Sequence, residues 1–413
     1  MSEQGKPRVL VLASTYPRWD DDPEPAFVHE LCRRLAATCS VTALVPDALG
    51  ANPNGLMDGV SVVRFRYAPK RWQTLVNDGG IAANLRNSPR KWLLVPGFVF
   101  FQFIWAWRLL RSREFDVIHA HWLIPQGVVA WLLKRLHRLP YVVTSHGGDL
   151  FGFRGAVPTA IKRRVAADSF EMTVMSDAML QEARRIGLQA PRISVMSMGV
   201  DLVGRFVPDE SVQRDAEMLL FVGRLVPKKG LSHLLDALPE VLSRRPGVRL
   251  LVAGFGPEEC ALKAQVERLG LAAHVEFMGA TPQHELPQLY RRAGLFVAPF
   301  VRDQTGDQEG LPVALMEAIG CACPILIGDV RGVRDLLGDA AELVTVRPSD
   351  TKNLARSIVA SLDELPKMQS LSSGIRADVI RRADWSATAD SYAELLKRCA
   401  TNASPPKSAE DEQ

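Results

Sequence analysis

The stretch MLLFVGRLVPKKG, Met218 to Gly230, decides how this chain is divided. Its first five residues are apolar without interruption, the pattern of a strand covered on both faces rather than of one with a wet side. Gly223 ends the run, Pro227 and two lysines follow, and helical spacing of leucines opens at Leu231. Strand, loop and helix make half of a βαβ unit. The same pattern has already run through the first half of the chain, with short apolar runs at 8–14, 40–46, 60–65, 116–121, 141–146 and 171–176. It starts again at 218–223 and continues at 248–254, 275–279, 295–300 and 323–328. Buried runs alternating with amphipathic helices build parallel sheets. Two series predict an α/β chain of two Rossmann-like domains, joined near GVDLVGRFVPDESVQRD (199–215). Ligands of open α/β sheets sit beyond the carboxyl ends of the strands, so two facing sheets imply one cleft between the domains.

Length and composition agree. A chain of 413 residues exceeds one ordinary core, and 47% hydrophobic with 23% charged residues is a soluble globular balance. The net charge of +4 hides an asymmetry: residues 1–196 carry 25 Lys/Arg against 16 Asp/Glu, and residues 197–413 carry 25 against 30. A basic half points to an anionic surface or ligand. No nucleic-acid-binding motif is present, which leaves anionic lipid or a diphosphate. The six cysteines are scattered, with only Cys321 and Cys323 close, and read as small core residues in a reducing compartment. The N-terminal MSEQGKPRVLVLAS has no cleavable secretory pattern and reads as a first strand.

Residues after strand ends carry the chemistry. Gly223 to Gly230 includes Arg224, which can grip a phosphate through two parallel hydrogen bonds, and Lys229, a mobile point charge before a helix start. Alone, such cations are ordinary surface charges, and the stretch lacks the Gly-Lys-Ser/Thr of a Walker loop. The next run ends in Gly254, Phe255, Gly256, Pro257, where a dinucleotide fingerprint would need a glycine at Glu259. VEFMG (275–279) ends with Met278 and Gly279, which offer backbone groups to a nucleobase or simply turn the chain. In DQEGLPVALMEAIGCACPIL (307–326), Glu309 and Glu317 stand eight apart with no cation between them. On a continuous helix that spacing sets them about two turns apart and within roughly 80° of each other, so that side faces something polar. His119 and His121 close the DVIHAHW run on one strand face, and His146 and Asp149 follow the next run in HGGD.

In this order and spacing GRLVPKKG, LVAGFGP, VEFMG, LFVAPF and EGLPVALMEA resemble the C-terminal domain of retaining glycosyltransferases of family 4, which have the GT-B fold. TYPRWDDDPEPAFVHEL (15–31), DVIHAHW (116–122), TSHGGDL (144–150) and GVDLVGRFVP (199–208) carry the resemblance through the N-terminal half. It implies an acceptor-binding domain over 1–198, a linker over 199–216 and a nucleotide-sugar domain over 217–384. A helix over 385–400 would return to the first domain, ahead of a disordered polar tail over 401–413. It also implies that Glu309, with the backbone of Gly310, Leu311 and Pro312, orients the transferred sugar, Pro312 having no amide hydrogen to give. Glu317 then accepts from the ribose hydroxyls, while Arg224 and Lys229 neutralise the leaving diphosphate. The loop of Gly254, Met278 and Gly279 lies at the base, and His121, His146 and Asp149 line the transfer site. No metal or other cofactor is implied: cations do that work, and Asp20, Asp21 and Asp22 read as a solvated acidic loop rather than a metal site. UDP-sugar ranks ahead of GDP-mannose as donor.

Two places depart from the family pattern: the glycine of Ala-Cys-Gly-x-Pro is shifted in Gly320 to Pro324, and Gly-Gly-Ile/Val-x-Glu reads Arg331 to Asp335, adding a cation near the donor pocket. RKWLLVPGFVFFQFIWAWRLLRSR (90–113) holds sixteen uncharged residues between basic flanks. That is short of the ~20 a bilayer span needs, and Pro96 interrupts it. Read as an interfacial helix, with Lys70, Arg71, Trp72 and Lys162 to Arg164 adding basic charge, it predicts docking to an anionic membrane from the cytoplasmic side. Read plainly, it is a core helix behind the first sheet. The expected function is hexosyl transfer to a lipid-diphosphate-linked saccharide in surface polysaccharide or glycolipid assembly. The alternatives are a small soluble acceptor or a catalytically silent scaffold.

Overall fold

A computed structural model of the protein describes residues 5–403 apart from 20, 21, 23, 25, 78, 79 and 304–307. The chain forms two units: one takes the sequence to Gly199 together with the segment from Ser386 onward, the other Val200–Trp385. The first is built on eight strands, β1 Arg8–Leu12, β2 Ser40–Pro46, β3 Gly55–Met57, β4 Val60–Phe65, β5 Val117–His121, β6 Tyr141–Ser145, β7 Glu171–Val174 and β8 Ile193–Val195. Their order is β3-β4-β2-β1-β5-β6-β7-β8, all parallel except the β3-β4 hairpin. Asp58 and Gly59, both at positive φ, make its two-residue turn.

The second unit has six parallel strands, β9 Asp215–Val222, β10 Arg249–Ala253, β11 Val275–Gly279, β12 Ala293–Ala298, β13 Ile325–Gly328 and β14 Thr345–Val346, in the order β11-β10-β9-β12-β13-β14. This is the doubly wound order, with its switch point between β9 and β12. The apolar run of β9 serves both faces: Met218, Leu220 and Val222 join one buried cluster, while Leu219 and Phe221 join the other. That is why the run shows no alternation. Two glycines fix the carboxyl edge. Gly223, at φ +152°, turns the chain out of β9, and a Cβ on Gly254 would lie 1.9 Å from the Gly223 carbonyl oxygen.

Several expectations need correction. β9 begins at Asp215, inside the expected linker, because its first residues pair with β12 at Ala293. The final helix runs Trp385–Ala403, so it continues three residues into the expected tail, with Thr401 Oγ1 donating to the carbonyls of Lys397 and Arg398. The rest of that tail lies outside the described residues. Five cysteines are buried, but Cys260 is exposed. Asp20 and Asp21 lie outside the described residues, and Asp22 is not solvated but paired with Arg18 at 2.7 Å. Lys162 belongs to no basic surface: it is buried and donates to the carbonyls of Leu150 (3.1 Å) and Gly152 (2.7 Å). The helix Leu94–Ser112 buries only Phe98, Gln102, Ala106 and Leu109, so one face is core and the rest is not.

Candidate active site

At the switch point of the second sheet, the loops after β9 and β12 are stitched together. Val301 N donates to the Lys228 carbonyl at 3.0 Å. Gly230 stands at φ +70°, where a Cβ would meet the Pro299 carbonyl oxygen at 1.9 Å, so only glycine admits the contact. The turn Pro227–Lys229 then presents both lysines to one acid: Lys229 Nζ lies 3.3 Å and Lys228 Nζ 3.6 Å from the Glu309 carboxylate. Lys229 also sits over the Phe300 ring at 5.0 Å. Burial would raise the Glu309 carboxyl, but Lys229 and then Lys228 outweigh it and hold it below the ordinary glutamate value. It is therefore an ionised carboxylate, 8% exposed, in a pocket of cations.

Glu309 and Glu317 do not share a helix. The helix is Val313–Gly320, with Pro312 at its N-cap, because proline fixes its own φ and turns Leu311 away from helical backbone. Glu309 belongs to the preceding loop, which is held from outside: a Cβ on Gly332 would fall 1.9 Å from the Gly310 carbonyl oxygen. The segment that departs from the family pattern is not a loop but the start of the helix Arg331–Leu337, which packs its glycine on the donor loop. The first amides of the helix, at Val313 and Ala314, have no acceptor within it. Glu317, one turn in, is 3% exposed and accepts from Gln283 Nε2 (2.9 Å) and Tyr290 Oη (3.0 Å). Burial raises its carboxyl against these two bonds. Each oxygen keeps a lone pair for a further donor.

Of the remaining donor-side residues, Arg224 is exposed and lies on the β9 loop without an ion pair among the described residues. Gly254 and Gly279 bond to each other, the Gly254 amide donating to the Gly279 carbonyl at 2.8 Å, and Met278 is 36% exposed. Reading the sequence alone missed Lys228, Gln283, Tyr290 and Gly332. Lys228, next to Lys229, and Gly332, the glycine that the Arg331 to Asp335 stretch keeps of the family pattern, had a local signal; Gln283 and Tyr290 had none.

In the first unit, β5 and β6 deliver three imidazoles in a file. The His119 and His121 ring centroids are 4.2 Å apart, and His121 and His146 stack at 5.1 Å with Nδ1 of one 2.9 Å from Nε2 of the other. His119 Nε2 meets Thr144 Oγ1 at 2.8 Å. Among the buried atoms, His119 Nδ1 and His121 Nε2 have no partner. Burial lowers His119 to about 3, burial with His119 lowers His146 to about 3, and burial with both neighbours takes His121 well below its ordinary value. All three are neutral at physiological pH. His146 alone is half-buried, its ring between Phe27 (4.9 Å) and Trp122 (4.8 Å). Asp149 does not line the site as expected. Its carboxylate is 2% exposed and fully engaged, accepting from Leu123 N (2.7 Å), Ser145 Oγ (2.9 Å) and His146 N (3.2 Å). It shapes the loop that carries His146.

Comparison with known proteins places this architecture among two-domain GT-B glycosyltransferases. Sucrose-phosphate synthase from Thermosynechococcus elongatus has a TM-score of 0.77 at 18% identity, covering 96% of this chain and 100% of that one. Anabaena Alr3699/HepE in complex with UDP-glucose has a TM-score of 0.70 at 18% identity, covering 95% and 99%. The family models Glycosyl transferase 4-like domain and Glycosyl transferases group 1 match residues 25–199 and 206–377. The chain belongs to the group 1 glycosyltransferases of family 4. Among its relatives, the D-inositol 3-phosphate glycosyltransferase of Segniliparus rotundus is 30% identical over 313 residues, 69% of this chain and 65% of the relative. The putative teichuronic acid biosynthesis glycosyltransferase TuaC of Bacillus subtilis is 30% identical over 268 residues, 61% and 63%. The chain thus spans just under two thirds of the length of these two relatives.

Proposed function

We propose that this protein transfers a hexose, with retention and without a metal, from a nucleoside-diphosphate sugar to a lipid-diphosphate-linked saccharide in surface polysaccharide or glycolipid assembly. The observation that carries the reading is the convergence of Lys228, Lys229 and Glu309 at the switch point of the second sheet. A departing diphosphate gains negative charge, and two fixed ammonium groups stabilise that charge where it develops. Glu309 is the acid next to those cations and orients the sugar. Glu317, braced by Gln283 and Tyr290, offers its spare lone pairs to the ribose hydroxyls. Attack comes from the face the diphosphate leaves, whose oxygen takes the acceptor proton; the neutral, half-buried His146 positions the acceptor, and the fully buried His121 behind it holds the His146 ring through Nδ1. UDP is favoured as the nucleotide by the UDP-glucose complex of a structural neighbour. A surface-polymer acceptor is favoured by the teichuronic acid relative. A second reading, transfer to a small soluble acceptor on the cytosolic side, is favoured by the inositol-phosphate relative.

The first test is thermal stabilisation by UDP, GDP, ADP and dTDP in EDTA, for the wild type and Lys229→Ala. One nucleotide is expected to stabilise the wild type by about 2.7 kcal/mol at 100 times its dissociation constant, and the variant far less. Acceptor-dependent release of that nucleotide should fall at least ~100-fold in Lys229→Ala. No stabilisation by any of the four sinks the donor site, and turnover with a soluble acceptor alone selects the second reading.

A further inference from the structure

The helix Leu94–Ser112 and the turn before it belong to a segment the core cannot use. From residue 66 to 113 the sequence holds nine Lys/Arg against a single Asp. Residues 89–112 contain an 18-residue window of mean hydropathy 1.6, of which only 22% is buried. One side of the helix is committed: Phe98 packs on Phe65 and Tyr67, each with ring centroids 5.2 Å away, and Gly97 rides on the Tyr67 carbonyl. Opposite them, Trp92, Leu93, Phe100 and Phe101 are 52%, 84%, 57% and 40% exposed, and the same side ends in Arg108 and Arg111. Two neighbours extend the patch. Lys91 Nζ ties the turn to the Thr74 carbonyl at 2.9 Å, next to exposed Lys70, Arg71 and Trp72. The Trp92 ring meets Phe153 at 6.2 Å, beside the exposed Val157 and Ile161 of the helix Ala156–Asp168.

We infer that this aromatic and basic face of the first unit docks into the interfacial layer of an anionic bilayer, the helix Leu94–Ser112 lying along the surface. Charge chooses the occupant. A second copy would bring the same cation-rich face against its own like charges, since an isologous contact pairs a patch with itself. Anionic headgroups complement it, and tryptophans flanked by Lys and Arg suit the boundary between acyl chains and headgroups. A bilayer span is excluded by the buried side: pulling the helix out would strip Phe98, Gln102, Ala106 and Leu109 from the core. The inference goes beyond the proposed reaction and depends on neither acceptor.

The test is co-sedimentation of the full chain with vesicles of phosphatidylcholine alone or mixed with phosphatidylglycerol. The wild type is expected to partition at least about tenfold more strongly onto the anionic vesicles, each surface cation contributing about fivefold. The triple variant Trp92→Ser, Phe100→Ser, Phe101→Ser alters exposed side chains only and should lose at least about tenfold on the mixed vesicles. Lys70→Glu with Arg71→Glu should remove the preference for anionic lipid while leaving donor-nucleotide binding unchanged. Sedimentation of the triple variant equal to wild type overturns the inference, as does a wild type that binds neither vesicle. A wild-type dimer that the triple variant converts to monomer also overturns it, because a second copy then covers the face.

Discussion

Glu309 is where residue-scale physics makes the sharpest claim. Its carboxylate holds the two lysines that would grip a diphosphate, so ligand phosphate and protein carboxylate compete for the same cations. Glu309→Gln removes the competitor and leaves both ammonium groups in place. It is expected to bind nucleoside diphosphate roughly tenfold more tightly, the scale of one charge-assisted hydrogen bond, while transfer falls about 100-fold because the sugar is no longer oriented. Calorimetry with the nucleotide and a transfer assay on the same preparation check both halves, and weaker nucleotide binding would refute the competition. The identity of this acid and of Lys229 was legible in the sequence through order and spacing of motifs. The partners of Glu317 were not: Gln283 and Tyr290 lie 34 and 27 residues away and reach it only because the segment before β12 folds beneath the helix Val313–Gly320. His146 and Asp149 show a different limit. Their place after a strand was readable, but which one turns to the surface and which ties the loop depends on how Asp149 accepts from two neighbours in its own turn, Ser145 and His146, and from Leu123 on the preceding strand's loop, 26 residues away.

At the scale of elements, apolar runs located β2 and β4 residue for residue, because strands buried on both faces leave an unbroken signature, and the half-exposed edge strand β11 was equally legible from its Val and Phe ahead of a glycine. The short edge strands β3, β8 and β14 escaped notice, although Asp58-Gly59 is a two-residue hairpin signal. The larger error was to carry a helix back through Pro312 to Glu309. A 3.6-residue period was read across a proline that starts the helix rather than interrupting it. The actual loop owes its shape to Gly332, whose missing side chain makes room for the Gly310 carbonyl. Gly332→Ala should therefore force that loop away, costing about 1–3 kcal/mol of stability in the second unit. Donor nucleotide should be bound more weakly as well. Denaturant unfolding with and without nucleotide measures the two together. An unchanged midpoint would mean that the loop yields without strain and that Gly332 does not set the position of Glu309.

For the whole molecule, the restart of the strand series revealed two units, yet the sequence hid a contrast in how they respond to acid. In the first unit three imidazoles are held neutral, His119 and His146 at about 3 and His121 well below its ordinary value, chiefly by burial. An unfolded histidine titrates near 6.5, so between about pH 6.5 and 3 the unfolded chain binds more protons than the folded one. Stability then falls with pH, by at most ~1.4 kcal/mol per pH unit for each imidazole. Asp149, raised by burial, acts in the opposite direction, but it is one carboxyl against three rings. The second unit has no such trio among its described residues. Glu309, held low, gives up its contribution only as pH drops below the ordinary glutamate range, and Glu317, raised by burial, opposes that loss. The first unit should thus weaken at pH 5 while the second holds. Seven of the eight tryptophans precede residue 200, so tryptophan fluorescence reports almost entirely on the first unit, whereas far-ultraviolet circular dichroism sees both. At pH 7.5 the two signals set the reference, and at pH 5 the fluorescence transition is expected to move to lower denaturant, ahead of the dichroism. If the two shift together and equally, the histidine file is hydrated or protonated in the folded protein, and its neutral, stacked arrangement is not what acid attacks first.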